Sequence, residues 1–421
     1  MIKGTRTILF ALLLFTLVVG LSMCVGNNDE NNNPGKQTAT KPTPLFAGSK
    51  QCASCHADIY NKHLATAHFH TSDTGSAASI KGSFDSTKNV FVFPSGARVK
   101  MLRTTDGFYQ AAYFSTGKEK MRQRFDLVFG SGTRGQSFGV WSGNTLYQLP
   151  LTYLTSVDQW CNSPGYPGKI AINRLVTPRC LECHTTWTNV ITDPSGGPET
   201  YERNSMVLGI DCERCHGSGV EHVQYHQSHP NEKTGHAIID PRKFSSAQIM
   251  DLCAFCHHGA MQKTQPSFSF TAGDKLTDYF VTEPASKAPA ASIEVHGNQF
   301  GLLTASKCFQ MGKGMTCLSC HDAHSNQRGQ TELFSQKCQS CHTSSAQHKG
   351  TAPACRVKAA DNIINQNCAA CHMPEMPSNA ISVMLQGQDT LTHANMHTHL
   401  IRIYPEFTQK ILAAARQPKK A

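Results

Sequence analysis

The chain has 421 residues, 39% hydrophobic and 8% aromatic, which is length for two or three ordinary domains but a modest supply of core. Eighteen cysteines spread over that length exclude a small disulfide-stapled scaffold, which is short and dense in cysteine. A formal charge of +10 would ordinarily point to nucleic acid or an anionic membrane, an inference that the cysteine pattern removes below.

Residues 1–23 read as an export signal: Lys3 and Arg6, then an apolar run from Ile8 to Leu21 that is short for a bilayer span. Leu21-Ser22-Met23-Cys24 is similar to a lipoprotein cleavage box, with Met23 where a small residue is usual. The expectation is a lipid on Cys24 that holds the chain to a membrane, with an uncleaved anchor or plain secretion as the alternatives. Residues 24–47, with five asparagines and three prolines between Val25 and Ala47, read as a disordered tether.

Residues 48–84 hold the first of seven copies of Cys-x-x-Cys-His, and a helix-compatible stretch follows it. Residues 85–160 carry none. Short strands are expected there at Val90–Phe93, Ala97–Arg103, Phe108–Phe114, Gln123–Phe129 and Thr145–Leu149, with turns at Asp106-Gly107 and Ser142-Gly143-Asn144. Gly130-Ser131-Gly132-Thr133-Arg134-Gly135 matches the dinucleotide fingerprint in letters. Its sequel, Gln136 to Trp141, reads as a strand, whereas phosphate binding needs a helix N-terminus there.

Residues 161–405 carry the other six copies, interrupted by a surface loop from Thr264 to Ser292. Residues 406–421 close the chain with a helix over Glu406–Arg416, its Phe407, Ile411 and Leu412 on one face.

The seven copies are Cys52, Cys55 and His56; Cys180, Cys183 and His184; Cys212, Cys215 and His216; Cys253, Cys256 and His257; Cys317, Cys320 and His321; Cys338, Cys341 and His342; and Cys368, Cys371 and His372. This pentapeptide attaches a c-type haem: both thiols add to haem vinyl groups and the imidazole takes one axial position on iron. Zinc sites also use CxxC pairs, but they need no histidine after every second cysteine. Seven covalent haems would supply the core that the side chains lack. The expected fold is therefore mainly α with extensive loops, a multihaem cytochrome c core of short helices packed on haems, with an antiparallel β insertion over 85–160.

Charge follows from the same count. Cleavage before Cys24 removes Lys3 and Arg6 and no acid, leaving +8 on the polypeptide. Seven ferric haems with ionised propionates, at about −1 each, bring the whole close to neutral. No nucleic-acid partner is expected, and no basic run with interleaved aromatics stands in the sequence.

Of 21 histidines, seven lie in motifs and fourteen outside, twice the number needed to give every iron a second imidazole. The two axial ligands stand on opposite faces of one porphyrin. His258 therefore cannot share an iron with His257, nor His324 with His321.

Here the chain resembles the multihaem cytochromes of the cytochrome c-552/c-554 type. The likeness rests on CASCHADIY followed by Thr66-Ala67-His68-Phe69, on Gly209-Ile210-Asp211 before CERCHGSGVEH, on Val295-His296-Gly297-Asn298 with CLSCHDAH, and on CAACHMP with His399. Together these span most of residues 48–405. The resemblance implies distal ligands at His68, His222, His296, His324, His348 and His399, with His226 as the seventh candidate. His229 and His236 are expected to be surface residues. Among the remaining cysteines, Cys308 and Cys355 flank the last motif cluster and are the expected bridge, while Cys161 is left as a buried thiol.

The expected activity is transfer of single electrons along seven covalently bound, mostly bis-histidine haems outside the cytoplasm, in an outer-membrane-anchored lipoprotein facing the periplasm or cell surface, between redox partner proteins. The alternative is a multihaem oxidoreductase acting on nitrite or hydroxylamine at one five-coordinate haem, which needs an open iron position. A third possibility is that the β insertion docks the chain onto a partner complex.

Overall fold

The computed structural model describes residues 44–166, 168–192, 195–282, 292–342, 344–345, 348–349, 354–355, 357, 366–388 and 390–416. The expected export signal, Cys24 and nearly all of the tether lie outside the described residues, and from Leu45 onward the chain forms one compact unit. Among the described residues no helix is long and apolar enough to cross a membrane.

Among the described residues there are ten α-helices: α1 (Ser49–His63), α2 (Pro178–His184), α3 (Cys212–His216), α4 (Val220–Ser228), α5 (Ser246–His257), α6 (Gln299–Thr304), α7 (Lys307–Met311), α8 (Thr331–His342), α9 (Cys368–His372) and α10 (Pro405–Arg416). Six of the seven motifs lie on helices. Spacings of three and four residues put both thiols and the imidazole on one helical face, so one turn and a half is all the attachment chemistry requires. Hence α3 and α9 are five residues long. The fifth motif sits on a 3-10 turn, Cys317–Ser319, capped reciprocally by Thr316 and Ser319. In α1 the helix kinks at the motif histidine, His56, where φ is −116° and ψ 40°. A capping box from Ser245 and Gln248 starts α5.

The strands are β1 (Ser72–Thr74), β2 (Val90–Val92), β3 (Arg98–Thr104), β4 (Gly107–Tyr113), β5 (Glu119–Arg124), β6 (Leu127–Phe129), β7 (Gly135–Ser142), β8 (Thr145–Gln148), β9 (Leu151–Leu154), β10 (Gln159–Asn162), β11 (Thr185–Ile191), β12 (Thr200–Leu208), β13 (Gln262–Lys263), β14 (Phe280–Val281), β15 (Ser344–Ser345), β16 (His348–Lys349), β17 (Glu375–Met384) and β18 (Leu391–His397). Strands β2-β3-β4-β5 form a four-stranded meander. A six-stranded antiparallel sheet runs β1-β6-β7-β9-β10 with β8 on β7. The stretch expected as one strand from Gln123 to Phe129 is broken into β5 and β6, and β9 and β10 are strands that alternation did not reveal. Strand β7 does follow the glycine run, whose Gly130 and Gly132 take φ of +99° and +78°, values that favour glycine.

The mainly α expectation is overturned: among the described residues 30% are helical and 26% are in strands, in several antiparallel sheets. Two causes are visible. Each motif needs so little helix that the motifs add few helical residues. The chain also leaves the second and seventh motifs directly into hairpins, β11–β12 and β17–β18. Thr185-Thr186-Trp187-Thr188 carries the β-branched and aromatic residues that favour such a pleated path.

The two larger sheets pack face to face. Phe91, Phe93, Val99, Met101 and Ala112 meet Phe138, Val140, Leu149, Leu151 and Tyr153, with Phe125 and Trp160 between them. Buried Gln110 reaches across the interface, its Nε2 donating to the Leu151 carbonyl at 2.9 Å while its Oε1 accepts from Leu151 N at 3.1 Å. A second cluster, Leu154, Cys161, Val383, Ala394, Met396 and Leu400, fastens the sheets to the hairpin after the seventh motif.

Candidate haem-binding site

Motif imidazoles are oriented from behind. His216 Nδ1 donates to the Ile239 carbonyl at 2.9 Å, His184 Nδ1 to the Thr71 carbonyl at 3.2 Å and His372 Nδ1 to the Arg402 carbonyl at 3.0 Å. His257 Nδ1 lies 3.1 Å from Gln299 Oε1. A carbonyl only accepts, so Nδ1 carries the proton and Nε2 keeps its lone pair for a metal. His222, outside the motifs, follows the same pattern with the His236 carbonyl at 2.8 Å.

Four motif imidazoles face a second imidazole from elsewhere in the chain. Ring centres are 6.5 Å apart for His56 and His222, 6.2 Å for His68 and His257, 6.0 Å for His216 and His324, and 6.1 Å for His321 and His399. An iron held at about 2 Å from the near nitrogen of each of two imidazoles separates their ring centres by about 6 Å. The side chains therefore fit a bis-histidine haem at four motifs. His324 faces the third motif rather than its own, as the opposite-face rule requires. Burial pushes His68 and His399 down to about 4, with the facing motif histidine, His257 or His321, adding to it. Desolvation likewise lowers His184, His216, His257 and His321. Neutral imidazole is the form that ligates iron.

The other candidates are placed differently. His296 lies within electrostatic range of His184 and His257. Buried His226 Nε2 has no hydrogen-bond partner among the described residues, but its ring lies 4.5 Å from His222 and so beside the first pair rather than opposite a motif. His348 lies in β16, and its side chain is outside the described residues. His229 and His236 stack on opposite sides of Tyr225, at 4.3 and 3.8 Å.

The attachment thiols are not equally covered. Cys215, Cys320, Cys371 and most others are half-buried, but Cys55, Cys180 and Cys341 are exposed. In α1 only His63 is buried, so the helix packs through its far end and leaves the first motif at the surface. Ser54 Oγ donates to the Cys55 sulfur at 3.9 Å.

Thiols of different motifs also meet. Cys52 and Cys212, Cys183 and Cys256, Cys253 and Cys317, and Cys338 and Cys368 are close enough to shift one another's acidity, which brings together the first motif and the third, the second and the fourth, the fourth and the fifth, and the sixth and the seventh. The expected bridge between Cys308 and Cys355 is not formed, and both are free thiols. Their thiol neighbours are motif cysteines, Cys341 beside Cys308 and Cys371 beside Cys355. Cys161 is fully buried, and burial pushes its thiol up to about 12.

Residues inside the motifs lock them together. Glu213, in the third motif, is buried and accepts from Ala47 N at 2.9 Å and Gly219 N at 2.8 Å through Oε1, and from Gly48 N at 2.9 Å through Oε2. Glu182, in the second motif, is 1% exposed and accepts from Phe268 N at 2.8 Å. Arg179 and Arg214 lie over the Phe255 ring at 5.0 and 4.4 Å. Sequence reasoning missed these supports. Thr71, Ile239 and Arg402 act through backbone carbonyls, which leave no mark in a sequence.

The family model described as cytochrome c554 and c-prime matches residues 166–217, which include the second and third motifs. In fold the chain is similar to the crystal structure of the outer cell wall cytochrome OcwA, with a TM-score of 0.53 and 14% identity over 87% of this chain and 82% of that one. No curated protein matches. Motifs and matches together support a c-type cytochrome with covalent haem.

Proposed function

We propose that the chain is an exported heptahaem electron-transfer cytochrome, held to a membrane by a lipid on Cys24 and facing the periplasm or cell surface. The observation that carries this reading is the set of four facing imidazole pairs at 6.0 to 6.5 Å, which leaves those positions no open face for a substrate. Haem c, when bound, supplies iron that alternates between the ferric and ferrous states. The chain contributes two thiols and one imidazole per motif for attachment, carbonyls that hold Nε2 toward the metal, and burial that favours the neutral form of His68, His184, His216, His257, His321 and His399. Motif-to-motif thiol proximity gathers the sites into three groups, the first with the third, the second with the fourth and fifth, and the sixth with the seventh, which supports close spacing within each group. The printed name of the similar structure, an outer cell wall cytochrome, supports a location outside the cytoplasm.

Haem quantification by pyridine haemochrome against protein mass tests the stoichiometry, with seven per chain expected from the motifs. Ferric protein that binds neither carbon monoxide after reduction nor nitrite fits the carrier. One haem that binds either ligand moves the reading to the oxidoreductase.

A further inference from the structure

We propose that the outer face of the four-stranded sheet β2-β3-β4-β5 is a docking surface for an acidic protein, which, on the electron-carrier reading above, is a redox partner. Strand register assigns the face. Val90, Lys100, Ala111 and Arg122 lie across one row, Val92, Arg98, Tyr113 and Glu119 across the next, and Leu102, Tyr109 and Arg124 across a third. Residues of the alternate phase, such as Phe91, Val99, Met101 and Ala112, are buried against the other sheet, so these rows face outward.

Four cations thus share one face. Arg98 and Lys100 stand on β3, Arg122 and Arg124 on β5, and the two tyrosines of β4 lie between the columns. Pleated-sheet spacing puts the columns about 10 Å apart and neighbours in a column about 7 Å apart, near the Debye length of about 8 Å at physiological salt. Their fields therefore reinforce. Opposing them in the rows is Glu119, which pairs with Arg122 at 2.9 Å, while Arg124 reaches Asp126 only at 3.9 Å. Arg98 and Lys100 make no ion pair among the described residues. Between Lys100 and Arg122 lies Ala111, fully buried on this outer face, so the stems of those two cations also cover the sheet.

The charge is also not offset by attached haem. No motif lies between His56 and Cys180, so the near-neutrality expected of the loaded chain as a whole does not extend to this segment. Arginine and tyrosine together are the residue types that anchor protein interfaces. An acidic protein fits better than a nucleic acid. The patch is compact rather than a track for successive phosphates, and the carboxylates of Glu119 and Asp106 beside it repel a polyanion of uniform charge. Both tyrosine hydroxyls are engaged with those carboxylates. The sheet is also tied to the segment after the seventh motif, through Val92 N donating to Gln386 Oε1 at 3.3 Å.

The test uses the haem-loaded chain and an acidic flavodoxin as probe, with binding followed by interferometry over a salt series. Arg98→Glu/Lys100→Glu/Arg124→Glu is compared with a triple variant of equal charge change elsewhere, Lys233→Glu/Lys243→Glu/Lys313→Glu. Unchanged haem content and visible spectrum certify folding of both. The expected result is an affinity loss of about tenfold or more at low salt for the sheet variant, with its salt dependence flattened, and about threefold or less for the control. Equal losses in the two variants, no loss, or absence of flavodoxin binding to the parent overturn the proposal. It is overturned equally if single-stranded DNA binds more tightly than flavodoxin with the same sensitivity, or if the parent is a dimer that the sheet variant splits. A shortfall in haem count would instead count against the carrier reading and leave this binding result standing.

Discussion

Glu213→Gln isolates how one motif positions another. The carboxylate belongs to the third motif, yet two of its three accepted bonds come from Ala47 and Gly48, at the start of the helix that carries the first. A glutamine that keeps Oε1 on Ala47 and Gly219 turns its amide nitrogen toward Gly48 N–H, so two donors meet. That forfeits one charge-assisted bond and strands a buried donor, a cost of about 2 kcal/mol. The expected consequence is local: amides of residues 45–52 and of Gly219 exchange about 30-fold faster, since about 1.4 kcal/mol corresponds to a factor of ten. Hydrogen exchange followed by mass spectrometry on peptic peptides reads this directly, with peptides from the β7–β9 region as internal controls. If exchange at 45–52 changes by less than about threefold, or if the control peptides accelerate equally, Glu213 does not act as the clamp argued here.

His324→Ala removes the imidazole facing His216 and should convert one haem per chain to a high-spin ferric form, visible in the absorption spectrum. A spectrum like the parent's would refute that pairing. Trp160 is 4% exposed at the centre of the inter-sheet core, so Trp160→Ala should cost about 3–5 kcal/mol, measured by denaturant unfolding. Burial holds His68 and His399 at about 4 against 6.5 for a free imidazole, so the unfolded chain binds more protons in between. Their contribution is complete above pH 6.5 and is lost as pH falls toward 4, in the same direction as proton competition with iron. An unfolding midpoint that stays flat across that window would contradict this. Gly209 has φ +71°, and a Cβ there would lie 2.2 Å from the Phe69 carbonyl oxygen, so Gly209→Ala should lower yield of the haem-loaded protein, scored by absorbance per unit protein.

What could be read without coordinates divides along physical lines. Covalent attachment demands fixed spacing, so the seven motifs are plain in the chain. Second imidazoles obey no spacing rule: His68, His222, His324 and His399 stood out through flanking sequence, but their partners, the fourth, first, third and fifth motifs, depend on tertiary packing. His226, four residues from His222, falls one helical turn away on the same face and ends up beside it. The helix-rich expectation failed because haem-binding motifs were taken to imply helical surroundings, whereas Thr185–Ile191 turns to strand at once. The basic face was invisible for a related reason. Arg98 and Arg124 are distant in sequence, and only the meander puts tyrosines between their columns.

Near-infrared magnetic circular dichroism of the fully ferric protein, quantified per polypeptide, decides whether paired imidazoles close the irons. Low-spin bis-histidine intensity is expected at the positions His56/His222, His68/His257, His216/His324 and His321/His399 at the least, with a sum of seven haems per chain. Bis-histidine intensity equivalent to fewer than four haems would contradict the four facing pairs and, with them, the electron-carrier reading.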